Sequence, residues 1–386
     1  MTRAAHRAIV RSGGRVRVEY RPTPRPVAGE LLVAPQTAGL CGTDLQMLRG
    51  LRDDPAPVIG HEGSAVVLAA GPGVDPGLAP GTRVVINPTH PSDPSFLLGH
   101  HVDGLLQERA LIPATAVDGG LVTPLPEHLA AGDLAALLEP LATVCYALSV
   151  LAAERPRTLL VVGDGTVGHL AVRAATRRLG PAVRTVHVHH TEAGLRWSRD
   201  RSHRADTLLT AEDLAAGRNG REPLREALGE GPLGVVLATP RDATPTCLEQ
   251  VLRAAPRDLA VDLLGGLPAD ATTPLLPGVA LAAVRAANCG GRPDPPHSVA
   301  LTATTGARVR LFGHRGVADR HLRTAAAELG AAPDRYRDLV THVTGIDQAA
   351  RIMRHLAAGR DRTWEGRRLV KLAVRLAPPT APDLEN

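Results

Sequence analysis

Two short segments in the first third of the chain hold its most reactive side chains. Cys41-Gly42-Thr43-Asp44 offers a thiol, a hydroxyl and a carboxylate, and Gly60-His61-Glu62 adds an imidazole and a second carboxylate. A catalytic zinc ion needs a few protein ligands and one position left open for water or a substrate oxygen. Cys41 can supply a thiolate and His61 an imidazole, while Glu62 or Glu139 can supply a carboxylate, directly or from just behind the metal. Such an ion would stabilise the alkoxide that must form before hydride leaves an alcohol carbon. Thr43, two residues past the cysteine, is placed to take the alcohol proton and pass it outward. Each residue also has an ordinary reading: a lone cysteine is usually a small buried hydrophobe, and His61 could simply hydrogen-bond in a turn.

A third segment changes that balance. Gly163-Asp164-Gly165-Thr166-Val167-Gly168 directly follows an apolar run at 159–162. In a dinucleotide site Gly163 would permit the turn, Gly165 would let backbone approach pyrophosphate, and Gly168 would let helix pack on strand. Thr166 and Val167 would open the helix whose free N–H groups and positive dipole end face the anion. NAD sites usually add an acid at the end of the next strand to hold the ribose hydroxyls. Here that strand ends Val188-His189-His190-Thr191, and His189 is the best match to the acid. A histidine neither grips a 2′-hydroxyl as a carboxylate does nor repels a 2′-phosphate. With Arg196 and Arg199 following, the pattern favours NADP over NAD, Glu192 being the alternative ribose ligand.

The elements around these motifs follow two patterns. Strand-like runs at 15–20, 30–34, 64–69 and 83–86, separated by turn signals such as Gly71-Pro72-Gly73, indicate a mainly β first domain over 1–154. An Ala/Leu helical region runs from 133 to about 153 with an interruption at Pro140. Runs at 159–162, 186–188, 235–238 and 259–262 then read as parallel strands, alternating with helices such as 169–179 and 247–254. This predicts an α/β class, with a doubly wound parallel sheet over 155–295. Residues 296–386 complete that sheet at 309–312 and return to the first domain through a helix at 346–358 and a strand at 368–376.

Composition narrows the function classes. At 386 residues two domains are expected, and with 44% apolar residues but only two Trp, three Tyr and two Phe the cores must be Leu, Val and Ala. A charge of +5, spread without a basic face or stacking aromatics, argues against a nucleic-acid partner. The N-terminus leads into no apolar signal region, and no stretch is expected to span a membrane, which takes about 20 apolar residues. Cysteines at 41, 145, 247 and 289 form no close pair, so no disulfide framework is expected and a cytoplasmic location follows as the simplest assumption.

Cys-Gly-Thr-Asp, Gly-His-Glu-Gly, Glu139-Pro140-Leu141-Ala142 and the glycine turn together resemble the zinc-dependent medium-chain dehydrogenase/reductase family. The resemblance is greatest to its polyol, threonine and cyclitol dehydrogenase branch, and its layout covers nearly the whole chain. It implies a GroES-like catalytic domain with an inserted Rossmann domain. It also implies one catalytic zinc at Cys41 and His61, with Glu62 as ligand or neighbour and Glu139 completing the metal environment. Thr43 would relay the substrate proton, and Arg315 and Arg368 would stand near the cofactor. The implied reaction moves hydride between NAD(P) and a secondary alcohol or ketone of a polar substrate, in a homodimer or homotetramer. A zinc-free NADPH-dependent reductase, or a non-catalytic nucleotide-binding protein, is the alternative. Two departures stand out. Gln46 stands near the place where members often have a histidine, which leaves the outer proton path in doubt. The loop at 88–96 lacks the four cysteines of a structural zinc, so none is expected; His90, His100 and His101 are there to bind metal or, more readily, for one to face the substrate.

Overall fold

In the computed structural model the described residues are 4–126, 132–216, 222–255, 257–359 and 361–376. Their contacts divide into two units, Met1–Glu139 with Leu322–Asn386, and Pro140–His321. Strands β1 (Ala5–Ser12), β2 (Arg15–Pro22), β3 (Leu31–Gly39), β4 (Glu62–Ala70), β5 (Arg83–Ile86), β6 (Ala110–Ile112) and β7 (Val122–Pro124) belong to the first unit. The second carries β8 (Thr158–Val162), β9 (Arg184–His189), β10 (Thr207–Thr210), β11 (Leu233–Leu237), β12 (Leu259–Asp262), β13 (Val299–Thr302) and β14 (Arg308–Phe312). The chain then returns to the first with β15 (Val340–Gly345), β16 (Thr363–Trp364), β17 (Arg367–Arg368) and β18 (Lys371–Arg375).

In the first unit β1 and β2 form a hairpin, and the main sheet runs β15-β18-β3-β4-β5-β7, with β6 added on β3. β3 is buried along almost its whole length, as a strand flanked by three partners must be. Ile9, Val33, Ile86, Leu105 and Ile352 are among the residues of this unit's core, all at 1% exposure or less. The helix Ile346–Ala358 contributes its buried face, Ala349, Ile352, Met353 and Leu356, to it.

The second unit is a sheet of order β10-β9-β8-β11-β12-β14-β13, parallel except for the antiparallel edge strand β13. This is the Rossmann-like arrangement, so the fold is α/β. β8, β11 and β12 are buried at every residue, the pattern of parallel strands covered on both faces. Pro140 does not interrupt the helical region: a 3-10 turn at Asp133–Leu137 leads into one helix, Leu138–Ala152. Pro140 sits in its first turn, where a backbone N–H would have no intrahelical acceptor and the proline costs little. Contrary to the sequence expectation, Asp133–Ala152 is long and apolar enough to cross a membrane, but 78% of its apolar window is buried within the protein, as in a core helix.

Asp262 ends β12 fully buried, and its carboxylate oxygens have no hydrogen-bond partner. His314 Nε2 lies 3.7 Å from it, and the His314 ring packs on Tyr146 at 4.4 Å. Burial raises the Asp262 pKa to about 8 and lowers that of His314 to about 3. The folded state thus keeps an Asp262 proton that the unfolded chain releases near pH 4, so this residue makes stability fall as pH rises from about 4 to about 8. His314 acts at the other end, costing stability as pH falls below about 6.5. Asp262→Asn is expected to flatten the alkaline side: the drop in unfolding temperature between about pH 5.5 and 8.5 will shrink. An unchanged drop, measured by circular dichroism, would show that Asp262 does not ionise with unfolding.

Candidate metal and nucleotide sites

The first site is assembled by sheet register. β3 and β4 pair antiparallel with Gly39 opposite Glu62, so the residues just after β3 and just before β4 emerge side by side. A side chain at Gly39 could not be accommodated, since its Cβ would stand 2.9 Å from Glu62 Oε2 and 3.1 Å from the Ala136 carbonyl. Cys41 caps the helix Gly42–Leu48: its sulfur accepts the Thr43 N–H at 3.1 Å, while Asp44 Oδ2 accepts the Cys41 N–H at 2.9 Å. This reciprocal cap holds the thiol at the helix start, where the dipole favours a thiolate. Thr43 is half-buried there, one turn of backbone from the sulfur.

Cys41, His61 and Glu62 each bring a ligand atom within 4.8 Å of the others, the one such group among the described residues. Glu139, buried at the start of its helix, is not in it. Asp44 is completely buried, and its Oδ1, 3.8 Å from His61 Nδ1, has no hydrogen bond; nor has that nitrogen. Burial, then the nearby Asp44, pushes the Cys41 thiol up, and burial also lifts the Asp44 carboxyl. For His61 burial acts downward, but the Cys41 sulfur and the Asp44 and Glu62 carboxylates outweigh it and hold the imidazole well above its ordinary value. Three acidic groups around one imidazole, two polar atoms left unpartnered, and sulfur, nitrogen and oxygen donors together fit a zinc ion.

Two further side chains neighbour this group, of which sequence reasoning missed Lys371 and named His100 only as one of three histidines for metal or substrate. Lys371, at the start of β18, is completely buried, and its ammonium donates to Glu62 Oε2 and, at 3.4 Å, to the Leu40 carbonyl. A signal was present, because Lys371 is the only lysine in the chain; the other basic residues in a Lys and Arg total of 44 are arginines. The second neighbour is His100, 4% exposed, whose ring lies 5.1 Å from that of His61. His100 Nδ1 donates to Asp54 Oδ2 at 2.7 Å, and Arg52 also donates to that carboxylate. His90 instead accepts the Ser92 and Asp93 N–H groups, and exposed His101 bonds the Pro94 carbonyl.

In the second unit the turn after β8 depends on its outer glycines. Gly163 has φ +116° and a Cβ there would stand 2.3 Å from the Ala238 carbonyl; one on Gly168 would stand 1.8 Å from the Gly163 carbonyl. Gly165 caps the helix Thr166–Leu179, which Thr166 and Val167 open. His189 turns inward. It is fully buried, with Nε2 2.7 Å from Ser198 Oγ and Nδ1 3.3 Å from the Leu209 carbonyl, so both ring nitrogens are engaged within the protein rather than offered to a ribose. Arg196 is exposed on the helix Glu192–Arg199, and Arg315 is exposed after β14, its backbone tied to Asn288 and Gly290. Arg368 lies in β17 of the first unit, paired with Thr363.

Residues 27–126 match the alcohol dehydrogenase GroES-like domain. A glucose 1-dehydrogenase of Thermoproteus tenax is 33% identical over 178 residues, 40% of this chain and 50% of that protein. The sorbitol dehydrogenase of Gallus gallus is 30% identical over 178 residues, 42% of this chain and 49% of that one. The chain spans about half the length of the curated relatives it matches. Among solved structures, galactitol-1-phosphate dehydrogenase from Escherichia coli superposes with a TM-score of 0.69 at 20% identity, covering 96% of this chain and 99% of that chain. Residues 27–126 are thus an alcohol dehydrogenase GroES-like domain, and the solved structure shows that the whole chain shares a dehydrogenase fold. Over the matched residues it is similar to sugar and polyol dehydrogenases, and it carries the Cys, His and Glu group without a cysteine at 88–96.

The buried Glu62–Lys371 pair gives a direct test of how this site is held. Removing either partner leaves the other charge buried and uncompensated, at a cost of about 3–5 kcal/mol. Glu62→Gln and Lys371→Met should each lose stability of that order in urea unfolding, and the double variant should lose clearly less than the two together. Simple additivity would mean the two charges do not depend on each other.

Proposed function

We propose that this protein is a zinc-dependent oxidoreductase that transfers hydride between NADP and a secondary alcohol or ketone of a polar, polyol-like substrate. The observation that carries this reading is the convergence of Cys41, His61 and Glu62 in a unit matching the alcohol dehydrogenase GroES-like domain. Zinc bound there would supply Lewis acidity to the substrate oxygen, and the nicotinamide would supply or accept the hydride.

The chain's own groups do the rest. Cys41, fixed by its cap, and His61 are the proposed zinc ligands; Glu62, with one oxygen held by Lys371, brings the third donor of the group, and its negative charge would offset that of the cation. Glu139 is proposed to act from outside this group, on the electrostatics of the pocket rather than as a fourth member of the cluster. The Thr43 hydroxyl, carried on the same short helix, takes the proton released from the substrate alcohol. Gly163, Gly165 and Gly168 keep side chains away from the pyrophosphate, and the N–H groups at Thr166 and Val167 receive it. The preference for NADP now rests on the missing acid at the end of β9 and on exposed Arg196 and Arg199, His189 being engaged inside the unit. We propose a homo-oligomer, dimer or tetramer, as the working form, and a cytoplasmic location.

Metal analysis of the purified protein, with NADPH and NADH titrations of the same sample, tests this function. About one zinc per chain, lost in Cys41→Ala, and tighter binding of NADPH are expected. Strong nucleotide binding by a protein that takes up no zinc would favour the zinc-free reductase instead.

A further inference from the structure

We propose that Asp262 couples a proton to the redox state of the nicotinamide: its carboxylate favours the cationic oxidised cofactor over the neutral reduced one, so that binding NADP+ expels the Asp262 proton and binding NADPH does not. The inference rests on the nucleotide part of the reading above and adds a residue that acts through charge rather than contact.

Sheet order puts Asp262 in the half of its unit that serves the reacting end. In a doubly wound sheet each half takes one mononucleotide, in the crevice beyond the carboxyl ends of its strands. The glycine turn follows β8, so β8, β9 and β10 form the adenosine half, and β11, β12 and β14, beyond β8 in the sheet, form the nicotinamide half. Asp262 is the last residue of β12, and His314 comes two residues after the end of neighbouring β14.

Little near Asp262 can neutralise its charge. The residue is completely buried, and neither carboxylate oxygen has a hydrogen bond among the described residues. His314 Nδ1 donates to the Gly316 carbonyl at 3.1 Å, so the Nε2 that lies 3.7 Å from Asp262 carries a lone pair and not a proton. Burial holds the His314 pKa at about 3 and that of His321 at about 4, and raises that of Tyr146, on which His321 stacks, to about 12. All three are neutral between about pH 6 and 9, and Arg320 is paired with Asp294 at 3.1 Å. The cation facing Asp262 is Arg285, which donates to the Leu264 carbonyl at 3.3 Å and only partly offsets the burial that raises the Asp262 pKa to about 8. Asp262 is thus the member of this cluster that changes charge near neutral pH. An oxidised nicotinamide ring carries a positive charge and a reduced one none. Two unit charges separated by about 10 Å of protein change an affinity roughly tenfold.

The test titrates the full chain with NADP+ and NADPH, whose shared adenosine and phosphate groups cancel in a ratio of affinities. Kd for NADPH divided by Kd for NADP+ should rise about tenfold between about pH 6 and 9, and should stay flat in Asp262→Asn. At about pH 7.5, NADP+ binding should release roughly half a proton more than NADPH binding, read by calorimetry in buffers of different ionisation heat. A further readout needs no variant to fold: the infrared C=O band of a buried neutral carboxyl should fade when NADP+ binds and persist with NADPH. The rise in the ratio should also remain in Cys41→Ala, since it does not depend on a metal-bound group. A flat ratio in the wild-type chain, or a rise kept in Asp262→Asn and lost in Cys41→Ala, overturns the inference and leaves the nucleotide reading standing. Failure to bind either nucleotide overturns both.

Discussion

The first unit is organised around one buried ion pair. Glu62 and Lys371 are separated by 309 residues in sequence and both are almost completely shielded from water. Two charges taken out of water are costly, and the cost is offset only where geometry is good and further hydrogen bonds are made. The Leu40 carbonyl provides one such bond to the ammonium. For the pair to form, β18 must lie against β3, so the chain has to come back to its first unit after the inserted sheet. Topology, the seating of Glu62 and the environment of Cys41 and His61 are thus parts of one constraint. A chain that otherwise uses arginine throughout has a lysine here, where a compact ammonium fits and a planar guanidinium would need more room.

The second unit depends on close backbone approach. Gly163 and Gly168 leave no room for side chains, and the turn they form is fastened from below by His187, whose Nε2 donates to the Gly163 carbonyl at 2.9 Å. His187 and His189 are successive inward-facing positions of β9, their rings 4.2 Å apart, and His169 of the helix Thr166–Leu179 packs edge-on against His187. Histidines that would look like ligand-binding groups in a linear reading therefore serve as polar packing beneath the nucleotide turn.

Much of the architecture was legible in the sequence because its signals are local. Apolar runs of four or five residues marked β8, β11 and β12, and the glycine spacing marked the turn, since φ and steric room are properties of a few consecutive residues. Pro140 misled for the opposite reason. A proline reads as a break unless one knows that a 3-10 turn precedes it and makes its position the first turn of a helix.

Taken alone, the sequence determined an α/β chain with a thiol–imidazole pair, a nucleotide-type turn and no cysteine lobe. Only the tertiary structure decided which carboxylate joins that pair, that a lone lysine neutralises it, that His189 is spent inside the sheet and that His100 stands beside His61. The reason is physical. Residue type and spacing fix what a side chain can do, but strand register and contacts across tens to hundreds of residues fix whether it is buried, what charge it faces and which of its hydrogen bonds are already made.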